Sequence, residues 1–216
     1  MKVDNDPLIS LGNNSIQRVK VTKSLGLMID KALTSIEQVN LITSKVNRSL
    51  NALKRLRTFV IDLKILKLVD KTLIQPYFDY CSQVWGCLGI TPGNKHYKLQ
   101  RLQNRAVRII TKCGYEFWFT DLLIRIGLTN LDVRRHQQLF TFMCKVSHNM
   151  VPDSLKNLFR KTDQIHDYQT RQAGFNFLLL NQILIIKKAV SYRGTVTWNN
   201  FPNELKSTTS IQSFKN

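Results

Sequence analysis

The sequence predicts a mainly α-helical protein: a helical bundle preceded by a short β-hairpin and followed by a less regular C-terminal region. Three observations predict it. Between residues 34 and 148 apolar residues return every three or four positions, the period of an amphipathic helix. Between Ile16 and Asp30 they alternate with polar residues, the period of a strand. Beyond Arg160 periodicity is weak.

The elements follow in order. Asn5-Asp6-Pro7 and Gly12-Asn13-Asn14 are turn signals with Ile9 and Leu11 between them, and Ile16, Val19 and Val21 lead into Leu25-Gly26-Leu27-Met28-Ile29-Asp30. Two short strands forming a hairpin fit this stretch. Thr34-Ser35-Ile36-Glu37 has the spacing of a capping box, in which hydroxyl and carboxylate satisfy each other's free backbone N–H groups, so a helix is expected to start there. Val39, Ile42, Val46, Leu50, Leu53 and Leu56 then form a single apolar stripe. At about 100° per residue, Arg48, Asn51 and Arg55 fall opposite that stripe, with Lys45 on its shoulder.

Asp62 is placed to cap a second helix running through Leu63, Leu66, Val69, Leu73 and Ile74. Pro76 is expected to kink that helix, because Phe78, Cys81 and Trp85 keep the helical spacing beyond it. A loop over Gly86 to Gly93 precedes a third helix, with Leu99, Leu102, Ala106, Ile109, Ile110 and Cys113 facing inward. Asp121 to Ile126 predicts a short helix ended by Gly127, and Leu131 to His148 a longer one with Leu139, Phe142, Met143 and Val146 inside. Val151 to Phe159 reads as a turn and a short helical segment. The remainder is expected to pack back through Phe175, Phe177, Trp198 and Phe201.

Charge narrows the function. Thirty-two Lys and Arg against fourteen Asp and Glu give a formal net charge of +18 over 216 residues, which points to a polyanionic partner. On the third helix Lys98, Arg101, Arg105, Arg108 and Lys112 follow at steps of three, four, three and four, aligning five cations on its outer side. Like charges so spaced destabilise an isolated helix. Either the bundle holds this helix against its own preference, or a bound anion offsets the repulsion.

Other classes find little support. Cys81, Cys87, Cys113 and Cys144, with His96, His136, His148 and His166, do not form a zinc-binding pattern. There is no apolar run long enough to span a membrane and no signal-peptide core, so an intracellular, reducing location is expected. Neither a G-x-x-x-x-G-K loop nor an H-E-x-x-H motif is present. Cys144 and His148 stand four apart on one helix face, a spacing that more often makes packing neighbours than nucleophile and base.

Four blocks carry a family resemblance. Lys23-Ser24-Leu25-Gly26-Leu27-Met28-Ile29-Asp30 resembles the K-Y-L-G-V-x-I-D segment that closes the palm of non-LTR (LINE-type, jockey-like) retrotransposon reverse transcriptases. The run from Leu73 to Gly86, LIQPYFDYCSQVWG, is similar to the family's L-I-x-P-x-x-D-Y-C-x-x-V-W-G. Residues Leu99 to Thr111, LQRLQNRAVRIIT, resemble L-Q-x-L-Q-N-R-A-x-R-I-I-T, and Ser191 to Pro202 with Ser210 to Lys215 resemble the terminal S-Y-x-G-A-x-x-W-N-x-L-P and S-x-x-x-F-K. The blocks stand in family order from about residue 16 onward. Two positions depart: Ser24 stands where an aromatic is usual, and Asn181-Gln182 where a Pro-x-x-Arg stretch is common. His166, Tyr168, Thr170 and Arg171 also resemble a family motif.

The resemblance implies a C-terminal fragment. Residues 1–31 would be the end of the palm, with a hairpin at Leu25 and Gly26 resembling the primer grip; 32–160 the helical thumb and the helical region after it; 161–216 an irregular C-terminal region. Nucleotidyl transfer needs carboxylates that hold two metal ions close together. The sequence has no Asp-Asp pair, and Asp30, Asp62, Asp79 and Asp132 read as turn, cap or surface residues. The expectation is a non-catalytic, cofactor-free part of an RNA-directed DNA polymerase whose parent uses two Mg ions. Its expected partners are a template-primer hybrid of RNA and DNA and the upstream palm and fingers of the same polyprotein, with no membrane. Lys45, Arg48, Arg55, Lys98, Arg101, Arg105, Arg108 and Lys112 are the expected phosphate contacts. Tyr168 and Trp198 are candidates for base stacking or for local core. The alternative is a free-standing, element-derived helical protein that binds nucleic acid or another protein.

Overall fold

The computed structural model describes residues 9–86, 95–162, 176–179 and 189–206, and they form a mainly helical protein entered through two antiparallel hairpins. The first joins β1 (Ile9–Leu11) to β2 (Asn14–Ile16), and the second joins β3 (Val21–Ser24) to β4 (Leu27–Asp30). Ile9 and Leu11 alternate with a polar residue in the first, but β1 and β2 are exposed on both faces, so that alternation carries no burial pattern. In the second hairpin Ser24 pairs with Leu27, leaving a two-residue turn at Leu25-Gly26. Both turn residues have positive φ, 46° and 80°, the type I′ geometry that matches strand twist. Leu27 is buried, and Met28 N–H donates to Gln38 Oε1 at 2.9 Å, so the hairpin is fastened to the first helix.

That helix, α1 (Ile36–Phe59), starts where expected but is capped differently. The Asp30 carboxylate accepts from Thr34 N–H at 2.9 Å, from Ser35 N–H at 2.8 Å and from the Thr34 hydroxyl at 3.1 Å. The capping box is therefore corrected: the Thr34 N–H that Glu37 was expected to satisfy is taken by Asp30, and Ser35 at the N-cap makes no side-chain cap bond. Burial raises the Asp30 pKa, but the bonds from Thr34, Ser35 and Ala32 outweigh it and hold the carboxyl below its ordinary value. Val39, Ile42, Val46, Leu50 and Leu53 are buried and Leu56 packs at the edge, so the apolar stripe is the core face.

Asp62 caps α2 (Leu63–Leu73), accepting from Lys64 N–H at 2.8 Å. Of the apolar residues that mark it, Leu66 and Ile74 are buried, together with Asp70, while Leu63 and Leu73 are exposed. Asp70 stays inside because Gln75 Nε2 donates to it at 2.8 Å; burial pushes its carboxyl pKa up despite that bond. Pro76 does not kink one continuous helix. The chain breaks at Ile74 and again at Tyr80-Cys81, giving α3 (Gln75–Asp79) with Pro76 in its first turn and α4 (Ser82–Trp85), with Cys81 at φ 51° between them.

The next described segment, α5 (Lys95–Thr111), buries Leu99, Leu102, Ala106 and Ile110 against α1 and α2. Its Val107 faces a smaller cluster of Leu122, Leu123 and Ile126 from α6 (Phe119–Ile126), which Gly127 ends at φ 68°. Asn130 caps α7 (Leu131–Ser147), and α8 (Asp153–Lys156) follows. Two further helices, α9 (Val190–Asn199) and α10 (Asn203–Lys206), close the described chain. Weak periodicity did not predict α9: it is packed on aromatic contacts rather than on an apolar stripe.

Those contacts form a second core. Phe140, Met143, Cys144 and Val146 of α7 meet Phe159, Phe177 and Trp198, with Phe142 and Phe201 at the margin. The Trp198 ring stacks on Phe140 at 5.3 Å, and Asn199 brackets the Phe177 backbone by accepting from its N–H at 3.0 Å and donating to its carbonyl at 2.8 Å. Phe177, Trp198 and Phe201 thus pack back as expected. Cys87, Gly93, His166, Tyr168, Thr170, Arg171, Phe175, Asn181, Gln182 and the block from Ser210 to Lys215 lie outside the described residues.

Candidate nucleic-acid interface

The cation row on α5 lies along its seam with α1. Lys98 Nζ donates to Asn40 Oδ1 at 3.1 Å and Arg105 to Asn47 Oδ1 at 3.4 Å, each pair 58 residues apart in sequence. A constant offset means that the helices run parallel. Seven residues make almost two full turns, so Asn40, Asn47 and Lys54 share one line of α1, and Lys98 and Arg105 share one line of α5.

Arg101 and Arg105 are exposed, whereas Arg108 is half-buried. Arg108 Nε–H donates to the Gly114 carbonyl at 3.4 Å, and its guanidinium lies 4.4 Å from the centre of the Tyr115 ring. Lys112 stands one residue past the end of α5 with φ 56°, so the row turns out of the helix there. None of Lys98, Arg101, Arg105, Arg108 and Lys112 forms an ion pair with a described carboxylate. Elsewhere charges are matched: Arg134 pairs with Asp79, which Gln138 also bonds at 2.9 Å, and Arg135 reaches Asp132 at 3.4 Å.

The cations expected on α1 do not form one patch. Arg48 and Arg55 are exposed on the crest opposite the core, next to the seam. Lys45 points to the other flank, with its ammonium 5.6 Å over the Tyr77 ring of α3. At the hairpin tip Leu25 is 89% exposed, and the Tyr80 hydroxyl donates to the Leu25 carbonyl at 2.5 Å. Gly26 lies against the Tyr80 ring, where an added Cβ would only just touch it at 3.7 Å.

Catalytic readings lose their geometry. Among the described residues no three His, Cys, Asp or Glu side chains converge as metal ligands. Asp30 and Asp62 are occupied as caps, Asp79 is tied to Arg134, and Asp70 is buried, so these carboxylates do not fit a two-metal centre. Cys144 Sγ lies 3.6 Å from His148 Nδ1, but that nitrogen is 2.8 Å from the Cys144 carbonyl and burial pushes the thiol pKa up. Trp198 is only 1% exposed and forms part of the second core, which corrects its candidacy for base stacking. An open pocket of about 550 Å³ beside α7 is lined by Arg134 and Gln138, the residues that hold Asp79. Among the described residues no helix is long and apolar enough to cross a membrane.

Reading by residue type passed over the polar line of Asn40, Asn47 and Lys54, although its seven-residue repeat matches that of Lys98, Arg105 and Lys112. It also passed over Tyr115 and Trp118, exposed where the cation row ends.

Fold and face together define a basic helical module with an uncompensated cationic edge. The chain is 27% identical over 133 residues to the probable RNA-directed DNA polymerase from transposon BS of Drosophila melanogaster, an alignment covering 60% of the chain and 14% of that relative. This is a distant relationship to a transposon reverse transcriptase, and the chain spans only about 14% of the length of the relative it matches. No protein-family model matches the chain. No solved structure matches it either.

Proposed function

We propose that the chain is the C-terminal, non-catalytic part of a non-LTR retrotransposon reverse transcriptase of the jockey-like kind, comprising the end of the palm, the thumb and the region after it, and that it holds the template-primer hybrid. The observation that carries this reading is the row of Lys98, Arg101, Arg105 and Arg108 along the α1–α5 seam, unmatched by any described carboxylate and bordered by amide side chains. From Lys98 to Arg108 the helix rises about 15 Å, an axial length that spans several phosphate steps on one duplex strand. Arginine and asparagine side chains donate to phosphate and sugar oxygens without reading sequence, which suits a helix tracking the wide minor groove of an A-form hybrid. Lys54, Arg48 and Arg55 would widen that contact, and Lys45 has no part in it. The upstream palm and fingers of the same polyprotein would supply the metal-binding carboxylates.

Salt dependence tests the reading. The whole chain should bind a hybrid duplex with an affinity that falls steeply with salt, each phosphate contact adding about 0.9 to the logarithmic slope. Charge reversal in Arg101→Glu, Arg105→Glu and Arg108→Glu together should flatten the slope by about two to three. An unchanged slope and affinity would remove α5 from the interface. Separately, an in-frame Ala-Asp-Asp run in the genomic sequence upstream of Met1 is expected if the parent polymerase is encoded there.

A further inference from the structure

We infer that the segment from Lys112 to Trp118 is a stacking site for unpaired nucleotides, so that the α5 row guides a single strand onto Tyr115 and Trp118. The inference rests on the nucleic-acid reading above and adds a ligand class to it. The row ends beside two rings that the fold leaves open: Tyr115 is 86% and Trp118 81% exposed. Phe117 between them is exposed as well, and a cluster of exposed apolar side chains marks an interaction site where a single one does not.

Their surroundings identify that partner. Arg108, the last cation of the helical part of the row, lies 4.4 Å from the Tyr115 ring centre and fixes the loop by donating to the Gly114 carbonyl. One face of Tyr115 is thus supported by a cation, which leaves its other face for a base while Lys112 is available to a phosphate. Glu116, the acidic group in the segment, folds its carboxylate back over Gly114, which has no side chain to obstruct it. Trp118 is anchored as the N-cap residue of α6, whose Leu122, Leu123 and Ile126 pack on Val107 of α5. Tyr115 is thus backed by Arg108, and Trp118 by the start of a packed helix. A cationic track that runs into exposed rings is the arrangement that binds single strands, because every base has a π-face whereas the bases of a duplex have theirs covered by neighbours.

Intrinsic fluorescence provides the test. Of the three tryptophans, Trp85 and Trp198 are buried at 3% and 1% exposure, so changes caused by a ligand at the surface report Trp118. The whole chain would be titrated with a twelve-nucleotide oligothymidylate, with a blunt duplex of the same length and with inorganic polyphosphate as a charge-only probe, while anisotropy follows binding. Oligothymidylate should quench the emission strongly, the duplex weakly and polyphosphate not at all. Trp118→Leu should abolish the quench. Tyr115→Leu with Trp118→Leu should weaken single-strand binding about five-fold to a hundred-fold for each stack lost, with duplex affinity changed less than two-fold. Trp118→Phe, which keeps a π-face, should restore most of the affinity.

Single-strand affinity that is insensitive to both substitutions would overturn the inference, as would equal quenching by polyphosphate. A change in oligomeric state in the Leu variants, with oligonucleotide binding intact, would also overturn it and mark the rings as a contact between copies. Failure of every nucleic acid to bind at low salt would instead sink the underlying nucleic-acid reading, so the two failures are distinguishable. Both rings are exposed, and an unchanged far-ultraviolet spectrum would confirm that the variants fold.

Discussion

The two cores of this protein are built on different principles. The first is mainly aliphatic and regular: Val46, Leu50 and Leu53 of α1 meet Leu66, Leu99, Ala106 and Ile110 from helices whose apolar residues recur at helical spacing, with Phe78 and Trp85 joining at the α3–α4 side. The second is aromatic and irregular: Phe140, Phe159, Phe177 and Trp198 come from two helices, a turn and an isolated bridge between Lys161 and Phe177. The first presents a cation row on its outside, and the second offers no such face among the described residues. A stripe of leucines sets a helix against a neighbour in many near-equivalent ways, whereas a stacked ring pair with a bracketing amide fixes one geometry. The module is therefore expected to unfold in two steps with the aromatic core first, since fewer buried helical residues hold it.

The largest effect should come from Trp198→Ala, which removes the ring stacked on Phe140. A loss of about 3–5 kcal/mol is expected, with the near-ultraviolet aromatic signal disappearing at a denaturant concentration where helix content largely persists. Simultaneous loss of both signals would show that the two cores form one cooperative unit and would break the comparison. Leu50→Ala in the first core should cost about 2–4 kcal/mol and shift the later, helical transition in urea.

Gly194→Ala is a finer probe of the aromatic core. An added Cβ would strike the Met143 thioether and come close to the Phe159 ring, so a cost of about 1–3 kcal/mol is expected in the early transition alone. Asp30→Ala should cost about 1 kcal/mol by removing the acceptor at the start of α1. Its pH dependence has a definite sign. The folded-state pKa of Asp30 is depressed, so its contribution is present above the unfolded value of about 3.9 and is lost as pH falls through the folded value. The wild-type chain should lose stability more steeply below about pH 4 than Asp30→Asn does, as read by acid titration of the helical signal.

The smallest expected effect is a gain. Leu25 occupies a left-handed turn position with φ 46° and is almost fully exposed. Leu25→Asn should therefore stabilise the hairpin by up to about 1 kcal/mol in thermal unfolding.

Much of this was legible in the residues. The stripe of α1, the Asp62 cap, the Gly127 stop and the spacing of Lys98, Arg101, Arg105 and Arg108 on α5 were all readable, because each depends on groups within a few turns of one another; Lys112 was not, since α5 ends at Thr111. Legibility failed where one nearby group displaced another, four or five residues apart in sequence. Asp30 reached the Thr34 N–H before Glu37 did, and Gln75 let a carboxylate turn inward at Asp70, leaving Leu63 and Leu73 outside. Trp198 looked like either a stacking platform or core until Phe140 and Phe177 were seen around it.

By itself, the sequence determined the helical class, the excess of positive charge and the line of cations along α5, since period and composition are properties of the chain. Only the tertiary structure decided what that line adjoins. The parallel packing of α1 on α5 put Asn40, Asn47 and Lys54 beside it and Lys45 on the other flank, and the packing of α6 left Tyr115 and Trp118 open at its end. Helical periodicity tells which residues share a face, but the neighbours of that face are set by contacts between residues some 58 positions apart, which no local pattern encodes.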